Sequence, residues 1–191
     1  MVTDPVPRAA GLRRQFEESD ARTTLTLPPA EPLQAATVAL GAALAADEVR
    51  AVKRAGRDLL GLLAGFYGTT RPALEVLGAR PLTVVESHSY ELFGDYTLET
   101  QVIRVWMRTA VLGKVTSHRG LLNTLIHEYC HHLDVVAFGL PDTPHTRGFF
   151  ARVDDLYHLA LATPPDRRRP LAWIRSRGCW RINWSKIRVG G

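Results

Sequence analysis

The residues best able to do chemistry are His127, Glu128 and His131, which spell H-E-x-x-H in the run His127-Glu128-Tyr129-Cys130-His131. On a helix, at about 100° per residue, the two histidines stand about 40° apart and one turn from each other, so both rings can reach one ion. Glu128 lies about 100° around from His127 and about 60° from His131, beside such an ion rather than on it. A carboxylate so placed can take a proton from water. The pattern is that of a catalytic zinc site. Leu122, Leu125, Ile126, Tyr129, Leu133 and Val136 fall on the opposite side, so an apolar face can hold the motif against a core. Thr116 or Ser117 can cap this helix, which is expected to run to about Phe138 and stop at Gly139.

A catalytic zinc site usually has three protein ligands and one open position. No glutamate follows Glu128, which excludes a downstream Glu ligand of the thermolysin kind. The longer metzincin pattern fails because Asp134 stands where it needs Gly and Ala137 where it needs His. No cysteine precedes the motif to serve a peptide-deformylase arrangement. His145, His158, Asp134, Asp154 and Asp155 remain downstream. His145 follows a short turn at 140–144 and opens a second helix, on which Phe149 and Leu156 lie within about 40° of it, marking a buried face. His158 falls about 220° around, with Asp154 and Arg147. His145 is therefore the preferred third ligand, with Asp154 or Asp155 as alternatives. Asp134 sits about 20° behind His127 and reads either as an acceptor for a ligand ring N–H or as an exposed helix acid. Cys130 reads as a small buried residue and His132 as structural or exposed. Tyr90, Tyr96, Tyr157, His118 and Arg147 are all conceivable donors to a developing oxyanion, and nothing in the sequence selects among them.

The elements that must position these residues read as α+β. Residues 32–67 carry apolar side chains at helical spacing, as one helix or two, with Asp47 a possible break and Gly68 a stop. A short helix is expected over 72–77, ending at Gly78. Strands are expected over 82–85, on either side of Gly94-Asp95, and over 102–107, the most β-rich run in the chain. A second helix after Pro144 carries Phe149, Phe150, Val153, Leu156, Tyr157 and Ala160 on one side and ends before Pro164-Pro165. The expectation is N-terminal helices, a small and mainly antiparallel sheet, the motif helix, and a second helix bearing the third ligand. Residues 1–31, rich in Pro, Thr and charge, read as a poorly ordered leader, 32–163 as a single domain, and 164–191 as a basic extension.

With 46% hydrophobic and 23% charged residues in 191, the chain has the make-up of one soluble globular domain. Two cysteines, Cys130 and Cys179, make no disulfide framework, and Asp4, Pro5 and Pro7 stand where a signal peptide would need an apolar core. No apolar run reaches membrane-spanning length, so a cytoplasmic protein is expected. Residues 164–191 hold eight basic residues against Asp166 alone, a net of +7, which leaves −2 of the total +5 to the rest. Arg167, Arg168, Arg169, Arg175, Arg177 and Arg181, interleaved with Trp173, Trp180 and Trp184, could serve phosphates and stacked bases. A solvated extension, packed in part through its tryptophans, is the plainer reading.

H-E-x-x-H followed after a short gap by H-x-x-x-F, here His145-Thr146-Arg147-Gly148-Phe149, with strands just ahead of the motif helix, resembles the SprT-like zinc metallopeptidases and other minimal bacterial zincins. The resemblance covers roughly 82–161. It departs from the family in that Gly148 comes three residues after the third His rather than directly after it. The family's frequent Cys-rich zinc ribbon is also missing, Cys179 being the only downstream cysteine. The resemblance implies a zincin-like fold with one zinc on His127, His131 and His145, and Glu128 as general base. It also implies a protein or peptide substrate laid along the 102–107 strand, which strand addition permits. A nucleic-acid-binding or regulatory protein on the same fold, with little or no peptidase activity, is the alternative.

Overall fold

The Ala- and Leu-rich segment folds as two helices, α2 (Ala30–Ala45) and α3 (Val49–Tyr67), because Asp47 takes the left-handed conformation (φ 57°) between them. Aspartate tolerates that conformation better than most residues. Gly68 closes α3 in the same region (φ 65°). The computed structural model describes residues 1–85 and 88–188, with the backbone alone for 83–85, 88–90 and 188.

Residues 72–77, expected as a short helix, are instead part of strand β1 (Ala73–Ala79). Leu74 and Val76 alternate into the core there, in parallel register with Ile103 and Val105 of β5 (Val102–Arg108). The period of two, fixed by pairing across the sheet, overrides local helix preference. β4 (Gly94–Thr97) pairs antiparallel with the other side of β5, giving the order β1-β5-β4. This sheet is mixed rather than mainly antiparallel. β2 (Leu82–Val85) and β3 (His88–Glu91) form a separate antiparallel pair. Because β5 is paired on both sides, the 102–107 run cannot receive a peptide strand; β1 and β4 are the edges instead.

The motif helix is α4 (His118–Val136), capped by Ser117, whose hydroxyl accepts from the Gly120 N–H at 3.1 Å. Its apolar face packs into a single core shared with α2, α3, the sheet and α5 (Arg147–Ala160). The opposite side is also buried at Glu128, His131 and Asp134. The cap of α5 is Thr146, whose hydroxyl accepts from the Phe149 N–H at 3.0 Å, so His145 lies in the turn just ahead of the helix and not on it.

Residues 1–31, expected as a poorly ordered leader, contain helix α1 (Ala10–Ala21), with Phe16 and Ser19 buried. What holds α1 is invisible in its own apolar pattern, because backbone packs on backbone. A Cβ on Gly148 would lie 2.2 Å from the Ser19 carbonyl and 2.9 Å from that of Arg22, so only glycine lets α5 begin there. The tail folds as well. β6 (Trp173–Ser176) and β7 (Cys179–Ile182) make a hairpin, followed by α6 (Trp184–Arg188). The Thr3 N–H donates to the Trp180 carbonyl at 2.8 Å, adding the N-terminus to the free side of β7. Among the described residues no helix is long and apolar enough to cross a membrane.

Candidate metal centre

α4 supplies His127 and His131 from successive turns, and the 140–146 turn returns His145 to the same point. The three Nε2 atoms stand 3.0 Å (His127–His145), 3.1 Å (His131–His145) and 3.2 Å (His131–His127) apart. These contacts cannot all be hydrogen bonds, since a neutral imidazole nitrogen carries either a proton or a lone pair. Three nitrogens about 2.0–2.1 Å from one tetrahedral zinc would stand about 3.3 Å apart, close to the spacing found. These three histidines form a group that could hold a metal ion. Burial and the neighbouring His145 push His127 down to about 3, and burial holds His131 well below the usual imidazole value. Both rings are thus neutral at pH 7, the form that donates to a metal.

Polar contacts behind two of the rings set which way they face. His131 Nδ1 is 2.7 Å from Thr143 Oγ1, and that hydroxyl donates to Asp134 Oδ2 at 3.3 Å. The hydroxyl proton being spent on the carboxylate, His131 Nδ1 must carry the proton and Nε2 the lone pair. Asp134 therefore serves His131 through one intervening hydroxyl. Its other oxygen accepts from Arg152 Nη2 at 2.7 Å, with both side chains buried. Burial pushes Asp134 up to about 6 against the pull of that guanidinium, which still leaves a carboxylate at pH 7. Arg152 also donates through Nη1 to the carbonyls of Ser19, at 3.0 Å, and Arg22, at 2.6 Å. These carbonyls belong to the end of α1, where helix geometry leaves them without partners.

His145 is held by the N-terminal segment. Its N–H donates to Asp4 Oδ2 at 2.8 Å, its carbonyl accepts from the Asp4 N–H at 2.8 Å, and its Nδ1 lies 3.5 Å from the same carboxylate. The bond to His145 keeps the Asp4 carboxyl below its ordinary value. Sequence reasoning missed both Asp4 and Thr143. Asp4 had no signal, because it lies 141 residues from the ring it serves. Thr143 had a weak one, its place in the proline-punctuated turn just ahead of His145; in the structure its φ of 36° is left-handed. That conformation is costly for a β-branched residue, and such strain gathers at functional sites.

Glu128 is 6% exposed, and burial, helped by Asp95, raises its carboxyl to about 8. It opens on a cleft of about 480 Å³ that the three histidines share with Asp4, Asp95, Tyr96 and Thr143. Gly94 lies against the glutamate: a Cβ there would meet Thr124 Cγ2 at 2.4 Å and Glu128 Oε1 at 3.1 Å. Of the oxyanion candidates with described side chains, Tyr96 alone lines this cleft. Its hydroxyl is 2.9 Å from Nδ1 of His132, whose Nε2 is 2.8 Å from the Thr70 carbonyl. His132 must donate to that carbonyl, so it accepts from Tyr96 and fixes the phenol. Arg147 is committed to Asp20 and stacks on Trp180 at 4.7 Å, while His118 starts α4 against Gly41. Tyr157 packs beside His158. The Tyr90 side chain lies outside the described residues.

Asp154 and Asp155 are not with the triad, since both pair with Arg168, and His158 lies 3.3 Å from Asp154. Of the tail arginines, Arg168 is thus engaged, Arg175 stands 6.0 Å over Trp180, Arg177 forms the hairpin turn, and Arg181 faces Val2. Trp173 packs on Phe150 at 5.8 Å, and Trp184 is exposed. Arg167 and Arg169 lie at the short turn and coil before the hairpin. Compared with protein-family models, curated proteins and solved structures, the chain matches none.

Two substitutions test the supporting bonds. Thr143→Gly should relax the backbone while cutting the link from His131 to Asp134, lowering zinc affinity about 10–100-fold. Asp4→Ala should act in the same direction by about tenfold, the low end of that range, because its carboxylate is half exposed. Zinc titration against a chromophoric chelator measures both, and unchanged affinity in either would make that residue a bystander.

Proposed function

We infer that the chain is a zinc-dependent peptidase with a zincin-like fold, resembling the SprT-like enzymes, and that it acts on protein or peptide substrates in the cytoplasm. The observation that carries this reading is the convergence of three ring nitrogens beside a buried glutamate, in a cleft bordered by an open strand edge. Three imidazoles, with no thiolate and no carboxylate among them, suit zinc. When bound, zinc supplies Lewis acidity, lowering the pKa of water to about 7 and polarising the scissile carbonyl.

Glu128 does the proton work. Its carboxylate takes a proton from the attacking water and passes it to the leaving amine nitrogen. Burial favours the protonated carboxyl midway through this exchange, and the cation would pull the other way. The outer edge of β4 offers unpaired backbone groups to an extended peptide, and Gly94 keeps that edge close to Glu128. Tyr96, oriented by His132, faces the bound chain from the same edge.

The test is zinc content together with hydrolysis of an unfolded protein by the zinc-loaded, chelated and reconstituted chain. About one zinc per chain, with activity lost on chelation and regained on reloading, is expected. A stoichiometrically loaded chain that never cleaves would favour the alternative, a binding or regulatory protein on the same fold.

A further inference from the structure

We propose that the exposed face of α3 is a binding surface for the phosphate backbone of double-stranded nucleic acid, separate from the histidine cleft and from the basic tail. Arg50, Lys53, Arg54 and Arg57 follow the spacing i, i+3, i+4, i+7 and so form one stripe on the helix. Arg71, from the segment before β1, prolongs it. Gly61 has no side chain, and Arg71 lies over it, with Cδ 3.5 Å and Nη1 3.6 Å from where a Cβ would stand. Five cations thus line two adjoining hollows of about 360 Å³ each, in which Asp58 is the lone acid among the described residues. All five are exposed, and no hydrogen bond or ion pair engages them among the described residues.

Such a stripe works against the helix that carries it. Arg50 with Arg54, and Lys53 with Arg57, are like charges one turn apart, each pair costing about 0.2–0.5 kcal/mol. Residues 1–163 are together net negative, at −2, so the concentration is local and does not reflect a generally basic chain. From Arg50 to Gly61 the helix rises about 16 Å. That matches about five phosphate steps of one strand at 3.4 Å each.

The surroundings select the partner. Among the described residues no aromatic side chain lines the hollows to stack an unpaired base, so single strands gain little. Of the exposed apolar residues on the same helix, Leu62 and Phe66 lie about 120° and 160° around from Arg50 and cannot enter a lipid surface while the stripe lies on it; only Val49, about 40° from Lys53, borders the stripe, and one small side chain inserts little apolar area. Charge without stacking or insertion is what a sequence-independent duplex contact requires. The hollows lie at the β1 edge of the sheet, and the histidine cleft at the opposite, β4 edge. A duplex on α3 therefore leaves the cleft open.

The experiment is fluorescence anisotropy of a labelled 20-base-pair duplex of random sequence with the full chain, from 50 to 200 mM salt. Four phosphate contacts predict a slope of log affinity on log salt of about −3 to −4, or about a hundredfold weakening over that range. Arg50→Gln/Arg54→Gln/Arg57→Gln should lower affinity at least about tenfold at 50 mM and reduce the slope by about three. Its melting temperature should hold or rise, since like-charge pairs are removed. Arg175→Gln/Arg177→Gln/Arg181→Gln should bind as the parent does. The proposal is overturned if the α3 variant binds with unchanged affinity and slope, or if the tail variant alone loses binding. It is equally overturned if the parent ignores the duplex at 50 mM salt, and binding to vesicles with 30% anionic lipid instead would make the stripe a lipid contact.

Discussion

For the zinc peptidase proposed above, Glu128→Gln is expected to keep metal and fold and to lose peptidase activity by at least about a hundredfold, because an amide cannot take the proton of the attacking water. The replacement matches the glutamate in size, which matters here: the side chain is buried and pressed by Gly94, leaving little room for any other shape. The carboxyl already favours its neutral form by burial, so a neutral amide removes no needed charge from the apo protein, and stability should stay within about 1 kcal/mol. Metal content, the melting temperature and the hydrolysis rate, measured on the same preparation, separate loss of chemistry from loss of site. A variant that cleaves as fast as the parent would remove Glu128 from the mechanism.

Arg152→Ala carries the largest expected cost in stability. It strips the carbonyls of Ser19 and Arg22 of their donor and leaves Asp134 buried without its counter-charge. Breaking a buried ion pair from one side costs about 3–5 kcal/mol. For a chain of this size that corresponds to a fall in Tm of roughly 10–15 °C. The loss should spread in two directions: α1 loosens from α5, and the His131 ring loses the carboxylate behind Thr143, so zinc affinity falls as well. Arg152→Met/Asp134→Asn, which removes both charges, should recover part of the stability but not the metal affinity. Calorimetry and zinc titration of the two variants decide it, and a Tm within about 2 °C of the parent for Arg152→Ala would show the pair to be dispensable.

His127, Glu128 and His131 were legible because their geometry is local, set by the 3.6-residue turn of a helix whose apolar stripe and serine cap can be read directly. The break at Asp47, the stop at Gly68 and the strand at 102–107 are local in the same sense. His145 was reached by a helical-face argument, yet it stands one residue before the Thr146 cap. What brings it to the other two rings is the path of the 140–146 turn.

Tertiary structure alone decided the rest, and the reason in each case is a contact between distant segments. β1 is a strand because β5 lies beside it. β5 is closed to a peptide strand and β4 open because of sheet order, which no single strand reveals. Residues 1–31 looked unstructured because α1 is held by what it touches: Gly148 gives its backbone room, and Arg152 takes its last carbonyls. Asp4 reaches His145 only because the N-terminus joins β7. A sequence spells out which side chains a helix presents together. Which carboxylate stands behind a ring depends on chain ends meeting across the whole molecule, and that is settled by packing.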